Sequence, residues 1–240
     1  MQSAGSEAGW FSRVQSTLYT AAVSDILDEL GYRNQAMHQR LRPLLPDMKR
    51  CGFVGRARTF LWKETDRIVA EDPYGLEIKG MDSLRAGDVA VHSTDRSGTN
   101  APWGELMSTI ARRNGAVGCV CDSQIRDCVR IIEMNFPVYC AGIRPVDSKG
   151  RGRVEDLDVP IECGGVIVNP GELVFADFDG IVVIPRTIER QVVEKAFEKA
   201  NAYWVEETGA SMIPYPFDQI VENVNLADFV NCTFVKDEDN

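Results

Sequence analysis

Histidine is scarce in this chain. Only His38 and His92 occur among 240 residues, so no histidine motif offers a general base, and each is read as structural or solvated. The chain has no glycine-rich nucleotide loop of the GxGxxG kind. No apolar stretch approaches the length of a membrane span. Residues 1–9 are small and polar with no apolar run behind a positive start, so no secretory signal is expected. Basic residues are outnumbered, 26 Lys and Arg against 36 Asp and Glu for a net charge of -10, which argues against a nucleic-acid surface. The one basic cluster, Lys149-Gly150-Arg151-Gly152-Arg153, is short and reads as a solvated hairpin turn.

Cysteine is present but not as a framework. Seven is an odd number, and several sit in apolar runs, which favours buried, reduced thiols and a cytoplasmic location. Cys119 and Cys121 share a strand face, yet lack the second pair or the histidines that a zinc site needs.

With 44% hydrophobic residues the chain can bury one substantial core. We expect a flexible segment over 1–15, a domain over 16–210 and an extension over 211–240, partly packed through Ile220, Val224, Leu226, Phe229 and Val230, with a disordered acidic end. Thr20 is placed to cap a helix carrying Val23, Ile26, Leu27 and Leu30 on one face and ending at Gly31. A strand over 52–62, a weaker helical stretch over 65–79 looped around 72–75, and a strand over 89–92 follow. A buried strand over 116–121 leads into a polar turn, Asp122-Ser123-Gln124, and then a helix with Ile125, Val129 and Ile132 on one face. Another short strand covers 137–141. Apolar runs at 166–168, 173–175 and 181–184, parted by turn residues that include Asp177 and Asp179, predict a β meander. A helix over 187–207 follows it.

The chemistry-bearing residues gather at two junctions where an extended run gives way to a helix. One is Arg126-Asp127; the other is Pro102-Trp103-Gly104-Glu105-Leu106-Met107. In open α/β sheets ligands collect past the carboxyl ends of the strands. The arginine fork suits a carboxylate substrate, Asp oxygen suits Mg²⁺ or Mn²⁺, and a helix start offers free N–H groups to an anion. Together they describe a metal-assisted site for a small anionic oxo acid. Trp103 either covers that substrate or packs beneath it.

Along most of its length the chain resembles the RraA-like family, which includes class II 4-hydroxy-4-methyl-2-oxoglutarate/4-carboxy-4-hydroxy-2-oxoadipate aldolases. The resemblance is carried by Thr20-Ala21-Ala22-Val23-Ser24-Asp25, Gly104-Glu105-Leu106-Met107, Ile125-Arg126-Asp127, Pro137-Val138, Gly164-Gly165-Val166 and the stretch 177–185, in that order. It implies a layered α/β/β/α domain of the swivelling type with a C-terminal helix, assembled into trimers or hexamers with the active site at a subunit interface. By the same resemblance, the backbone of Gly104, Glu105, Leu106 and Met107 and the Arg126 side chain would hold the pyruvyl part of a 2-oxo acid. Asp127 would be the protein ligand to Mg²⁺ or Mn²⁺. Glu105, one methylene longer than the Asp often found there, would orient water on the cation, and Glu198 is the candidate carboxylate from a neighbouring subunit. The implied activity is cleavage of a 4-hydroxy-2-oxo acid to pyruvate and a second oxo compound, with oxaloacetate decarboxylation as a side reaction. Two other branches are kept in view. One is a regulator that binds a ribonuclease, in which the residue after the arginine is not Asp, and the other is a lyase for a sugar-derived oxo acid.

Overall fold

The computed structural model describes residues 4–45, 47, 50–68, 70–95 and 97–208, with side chains described from residue 7 to residue 200 within those limits. The chain divides into a unit over 1–200 and a second over 201–240. Of the second, only the end of the last helix is described, so the expectations for 211–240 lie outside the described residues.

The elements run α1 (Ala4–Thr17), α2 (Thr20–Glu29), β1 (Arg42–Pro43), β2 (Phe53–Glu64), α3 (Leu76–Asp82), β3 (Asp88–Ser93), α4 (Glu105–Arg113), β4 (Gly118–Ile125), α5 (Cys128–Met134), β5 (Val138–Ile143), β6 (Gly152–Leu157), β7 (Ile161–Cys163), β8 (Val166–Val168), β9 (Leu173–Asp177), β10 (Gly180–Ile184) and α6 (Glu189–Thr208). Three helical crossovers, through α3, α4 and α5, join β2, β3, β4 and β5 into a parallel sheet. β1 closes one edge, and the β9–β10 hairpin extends the other. The twelve-residue β2 is the spine: its first half pairs with β9 and its second half with β6.

The sheet curls until its two ends meet. The Tyr139 hydroxyl on β5 donates to the Asp177 carbonyl on β9, and the Tyr139 ring stands edge-on to Phe53 with centroids 5.7 Å apart. Inside the curl lie Phe53, Val89, Val91, Val120, Tyr139, Val174 and Val183, with the β7–β8 hairpin adding Ile161, Val166 and Val168. The period-two alternation of strands sends Ala90, Cys119, Cys121 and Val138 to the other face, where Trp103, Ala111, Ile131 and Phe136 cover them. A third cluster packs α1, α2 and α6 against the hairpin through Phe11, Val14, Ile26, Phe175, Val182 and Val193. The expected α/β fold is therefore present, with helices on both sides of a nearly closed, barrel-like sheet.

Several elements differ from expectation. The stretch 4–15, expected to be flexible, lies within α1, which buries Phe11 and Val14. Arg56 on β2 anchors that helix, its guanidinium bridging Glu7 at 2.7 Å and Glu189 of α6. Thr20 is not the cap of α2; Tyr19 holds that place without a side-chain bond. The Thr20 N–H and hydroxyl instead donate to Asp177 at 2.7 and 2.6 Å, so a turn carboxylate from the distant hairpin satisfies the helix start. The polar turn at 122–124 is strand, because Asp122 and Ser123 are satisfied in place: Asp122 accepts from the N–H and hydroxyl of Thr94 at 2.8 and 2.7 Å. Ile125 ends that strand fully buried, whereas Val129 and Ile132 are exposed and Ile131 is the buried residue of α5. Only 76–82 of the stretch 65–79 and its surroundings is helical. The predicted meander is split between two sheets, and the basic cluster is a turn leading into β6.

His92 is structural. It is fully buried, lies flat on Phe60 with centroids 4.3 Å apart, and its Nδ1 accepts the Trp62 indole N–H at 2.9 Å. The proton of the neutral ring is therefore on Nε2. Burial lowers its pKa to about 3, below the ordinary unfolded value near 6.5. Its contribution to stability is thus complete above pH 6.5 and is lost as pH falls from there toward 3, at up to about 1.4 kcal/mol per pH unit. A His92→Phe variant, destabilised at pH 8 by the orphaned Trp62 N–H, should regain ground on wild type at about that rate below pH 6.5 in urea titrations.

Candidate active site at the ends of β3, β4 and β5

Three loops leave the carboxyl ends of adjacent parallel strands: 94–104 after β3, 126–127 after β4 and 144–151 after β5. Backbone pairing draws them together. Trp103 forms a parallel bridge with Ile125, the Arg126 N–H donates to the Trp103 carbonyl at 3.0 Å, and Ala101 N–H donates to Val146 at 2.8 Å. Trp103 does not face a ligand. It is 1% exposed, donates to Ser108 Oγ at 2.8 Å, stacks on Phe136 and meets His92 edge-on.

On this floor the structure brings Gly104, Glu105, Arg126 and Asp127 into one corner. Asp127 adopts the left-handed region, φ 58° and ψ 32°, at the start of α5 without capping it. For a non-glycine residue this conformation is uncommon and tolerated best by Asp and Asn. Its carboxylate turns instead to the neighbouring junction, where Oδ2 accepts the Glu105 N–H at 3.3 Å and lies 3.8 Å from Arg126 Nε. Side chains of Arg126 and Asp127 are 33% and 44% exposed, so solvent reaches both. The N–H groups of Leu106 and Met107, in the first turn of α4, have no acceptor among the described residues. The Glu105 carboxylate faces α5: with the Glu133 hydrogen bond and charge, it helps hold the exposed Arg130 above the ordinary guanidinium range.

Reading the sequence missed three members of the corner. Asp147, from the loop after β5, lies 3.4 Å from Arg126 Nη2 and accepts the Tyr74 hydroxyl at 3.4 Å. Glu77, in the first turn of α3, is 3% exposed. Burial, then the charge of Asp147, raises its pKa to about 8, against the lowering pull of Arg126. Nothing in the local sequence marks it, since α3 also carries Lys79 and Asp82. Glu198 is not brought to the corner: it lies exposed on α6, whose buried face packs with α1 and α2.

The donor set can be tested against a divalent cation. Asp127 presents a solvent-exposed carboxylate beside the Arg126 guanidinium, hard oxygen of the kind Mg²⁺ or Mn²⁺ takes. Among the described residues no three His, Cys, Asp or Glu side chains are grouped to hold a metal ion. Asp127 would therefore have to hold the ion with water and substrate as its other ligands.

A family model described as RraA-like, Aldolase/RraA, matches residues 20–183. The chain belongs to the RraA-like family. A protein of Halalkalibacterium halodurans named "Putative 4-hydroxy-4-methyl-2-oxoglutarate aldolase" is 34% identical over 183 residues, covering 76% of this chain and 80% of its own. A Pseudomonas aeruginosa protein of the same name is 34% identical over 140 residues, 58% of this chain and 81% of its own. Among solved structures, Streptomyces coelicolor RraAS2, described as an unusual member of the RNase ES inhibitor RraA protein family, superposes with TM-score 0.71 at 28% identity, covering 82% of this chain and 94% of its own.

In this RraA-like corner Gly104 has a steric duty. A Cβ there would stand 2.8 Å from Asp127 Oδ2 and 3.2 Å from Arg126 Cγ. Gly104→Ala is expected to fold with a near-normal unfolding midpoint while displacing the Asp127 carboxylate. A displacement near 1 Å costs on the order of 10²-fold in any turnover that uses the group, to be read from steady-state rates beside a denaturation curve.

Proposed function

We propose that this RraA-like protein is a carbon–carbon lyase of the class II pyruvate aldolase type. It uses Mg²⁺ or Mn²⁺ to cleave a 4-hydroxy-2-oxo acid to pyruvate and a second oxo compound, and decarboxylates oxaloacetate as a side activity. The observation that carries the reading is the convergence of Arg126, Asp127 and the open first turn of α4 at Gly104. The relatives named for an aldolase support it.

Breaking C3–C4 leaves negative charge on the C2 oxygen, and a divalent cation held at Asp127 supplies Lewis-acid stabilisation of that charge. The Arg126 guanidinium adds a second positive group at the same oxygen. The free N–H groups of Leu106 and Met107, beside Gly104, orient the pyruvyl carboxylate. Glu105 steers the water that takes the C4 hydroxyl proton, since no histidine stands in the corner. Exposed apolar side chains around it, Leu106, Val129, Ile132 and Ile143, suit burial against another copy of the chain. A homotrimer or homohexamer is part of the proposal, with Glu198 of a neighbouring copy as the completing carboxylate. So is a cytoplasmic location; among the described residues no helix is long and apolar enough to cross a membrane.

The likeness to RraAS2 favours a second reading, a protein-binding regulator of ribonuclease activity, against which stands the retained Asp127 beside Glu105. A lyase for a sugar-derived oxo acid would share Arg126 and Asp127, and a substrate panel separates it. Pyruvate release from 4-hydroxy-4-methyl-2-oxoglutarate and from oxaloacetate should require Mg²⁺ or Mn²⁺ and stop in EDTA. Arg126→Ala should keep a residue of activity, about 10²- to 10³-fold down, and Asp127→Ala should abolish turnover and its metal response together. Full activity in chelator would rule the scheme out.

A further inference from the structure

Behind Arg126 stand two groups for which the proposed reaction has no role, Asp147 and Tyr74. Both oxygens of the Asp147 carboxylate are engaged. Oδ1 faces Arg126 Nη2 at 3.4 Å, Ser148 Oγ at 3.4 Å and the Lys149 N–H at 3.3 Å, while Oδ2 accepts from Tyr74 at 3.4 Å. Its backbone is pinned as well, by the parallel bridge to Ala101. Arg126 thus lies between two carboxylates, Asp127 toward Nε and Asp147 toward Nη2, with no acceptor for Nη1 among the described residues.

We propose that Asp147 is the positioning residue that sets the orientation of the Arg126 guanidinium, with Tyr74 holding Asp147 from the far side. The inference rests on the lyase reading for its kinetic form. A free arginine side chain samples many rotamers, and fixing the fork before substrate arrives removes that ordering from the binding step. The fork held at two corners leaves Nη1 for an oxo-acid oxygen.

The test compares wild type, Asp147→Asn and Tyr74→Phe. Pyruvate release is followed at neutral pH, and oxalate binding with Mg²⁺ by calorimetry. Asp147→Asn should lower kcat/KM and weaken oxalate about tenfold, because the guanidinium must then be ordered when the anion binds, with Mg²⁺ affinity unchanged; Tyr74→Phe should act in the same direction by less. A purely electrostatic role for Asp147 predicts the opposite sign, since removing a negative charge near an anion tightens its binding. Unchanged or tighter oxalate in Asp147→Asn overturns the proposal. If wild type releases no pyruvate from any 2-oxo acid, the lyase reading fails, while the oxalate titrations still decide the inference.

Discussion

The corner depends on one backbone constraint, the parallel bridge between Trp103 and Ile125 with the Arg126 N–H on the Trp103 carbonyl. The two chain segments it joins are some twenty residues apart, separated by α4 and most of β4. Without the bridge the loop after β3 would wander over the sheet edge. With it, Gly104 is carried directly over Arg126 and Asp127, where a Cβ would stand 2.8 Å from Asp127 Oδ2 and push that carboxylate aside. The left-handed turn at Asp127 answers the same demand from the other side: it releases the side chain from capping its own helix and points it at α4.

What keeps that bridge in register is the packing beneath it. Trp103, His92, Phe60 and Trp62 form a connected aromatic layer in which the indole of Trp62 is bonded to His92 and that of Trp103 to Ser108. Protein interiors are close-packed and transmit displacement rather than absorb it, so the floor is stiff where the reacting groups stand. The far side of the sheet is tied by different means, through Arg56 between α1 and α6 and Asp177 on the start of α2, and shares none of these side chains.

The legible parts of the chain were those whose periodicity and turn chemistry agree. The strand–helix junctions at 104 and 126 announced themselves because an apolar run, a break and a new period occur within a few residues. Asp122 and Ser123 misled because polar residues in a row look like a turn; Thr94, just past the end of β3, satisfies Asp122, a contact no local pattern reveals. Val129 and Ile132 misled in the opposite direction. They keep helical spacing, but the face they mark is exposed in one chain, as a surface meant for another molecule would be. Asp147, Tyr74 and Glu77 were invisible for a third reason: Tyr74 and Glu77 come from the β2–β3 crossover and Asp147 from the loop after β5, so no local pattern joins them to Arg126.

The charge distribution carries the functional reading one step further. Arg126 faces two carboxylates, Asp127 and Asp147. A carboxylate substrate therefore competes with two fixed acids for one guanidinium. A divalent cation held at Asp127 would take that carboxylate as a ligand and leave more of the arginine to the oxo acid, so in the proposed reaction the metal and the 2-oxo acid stand or fall together.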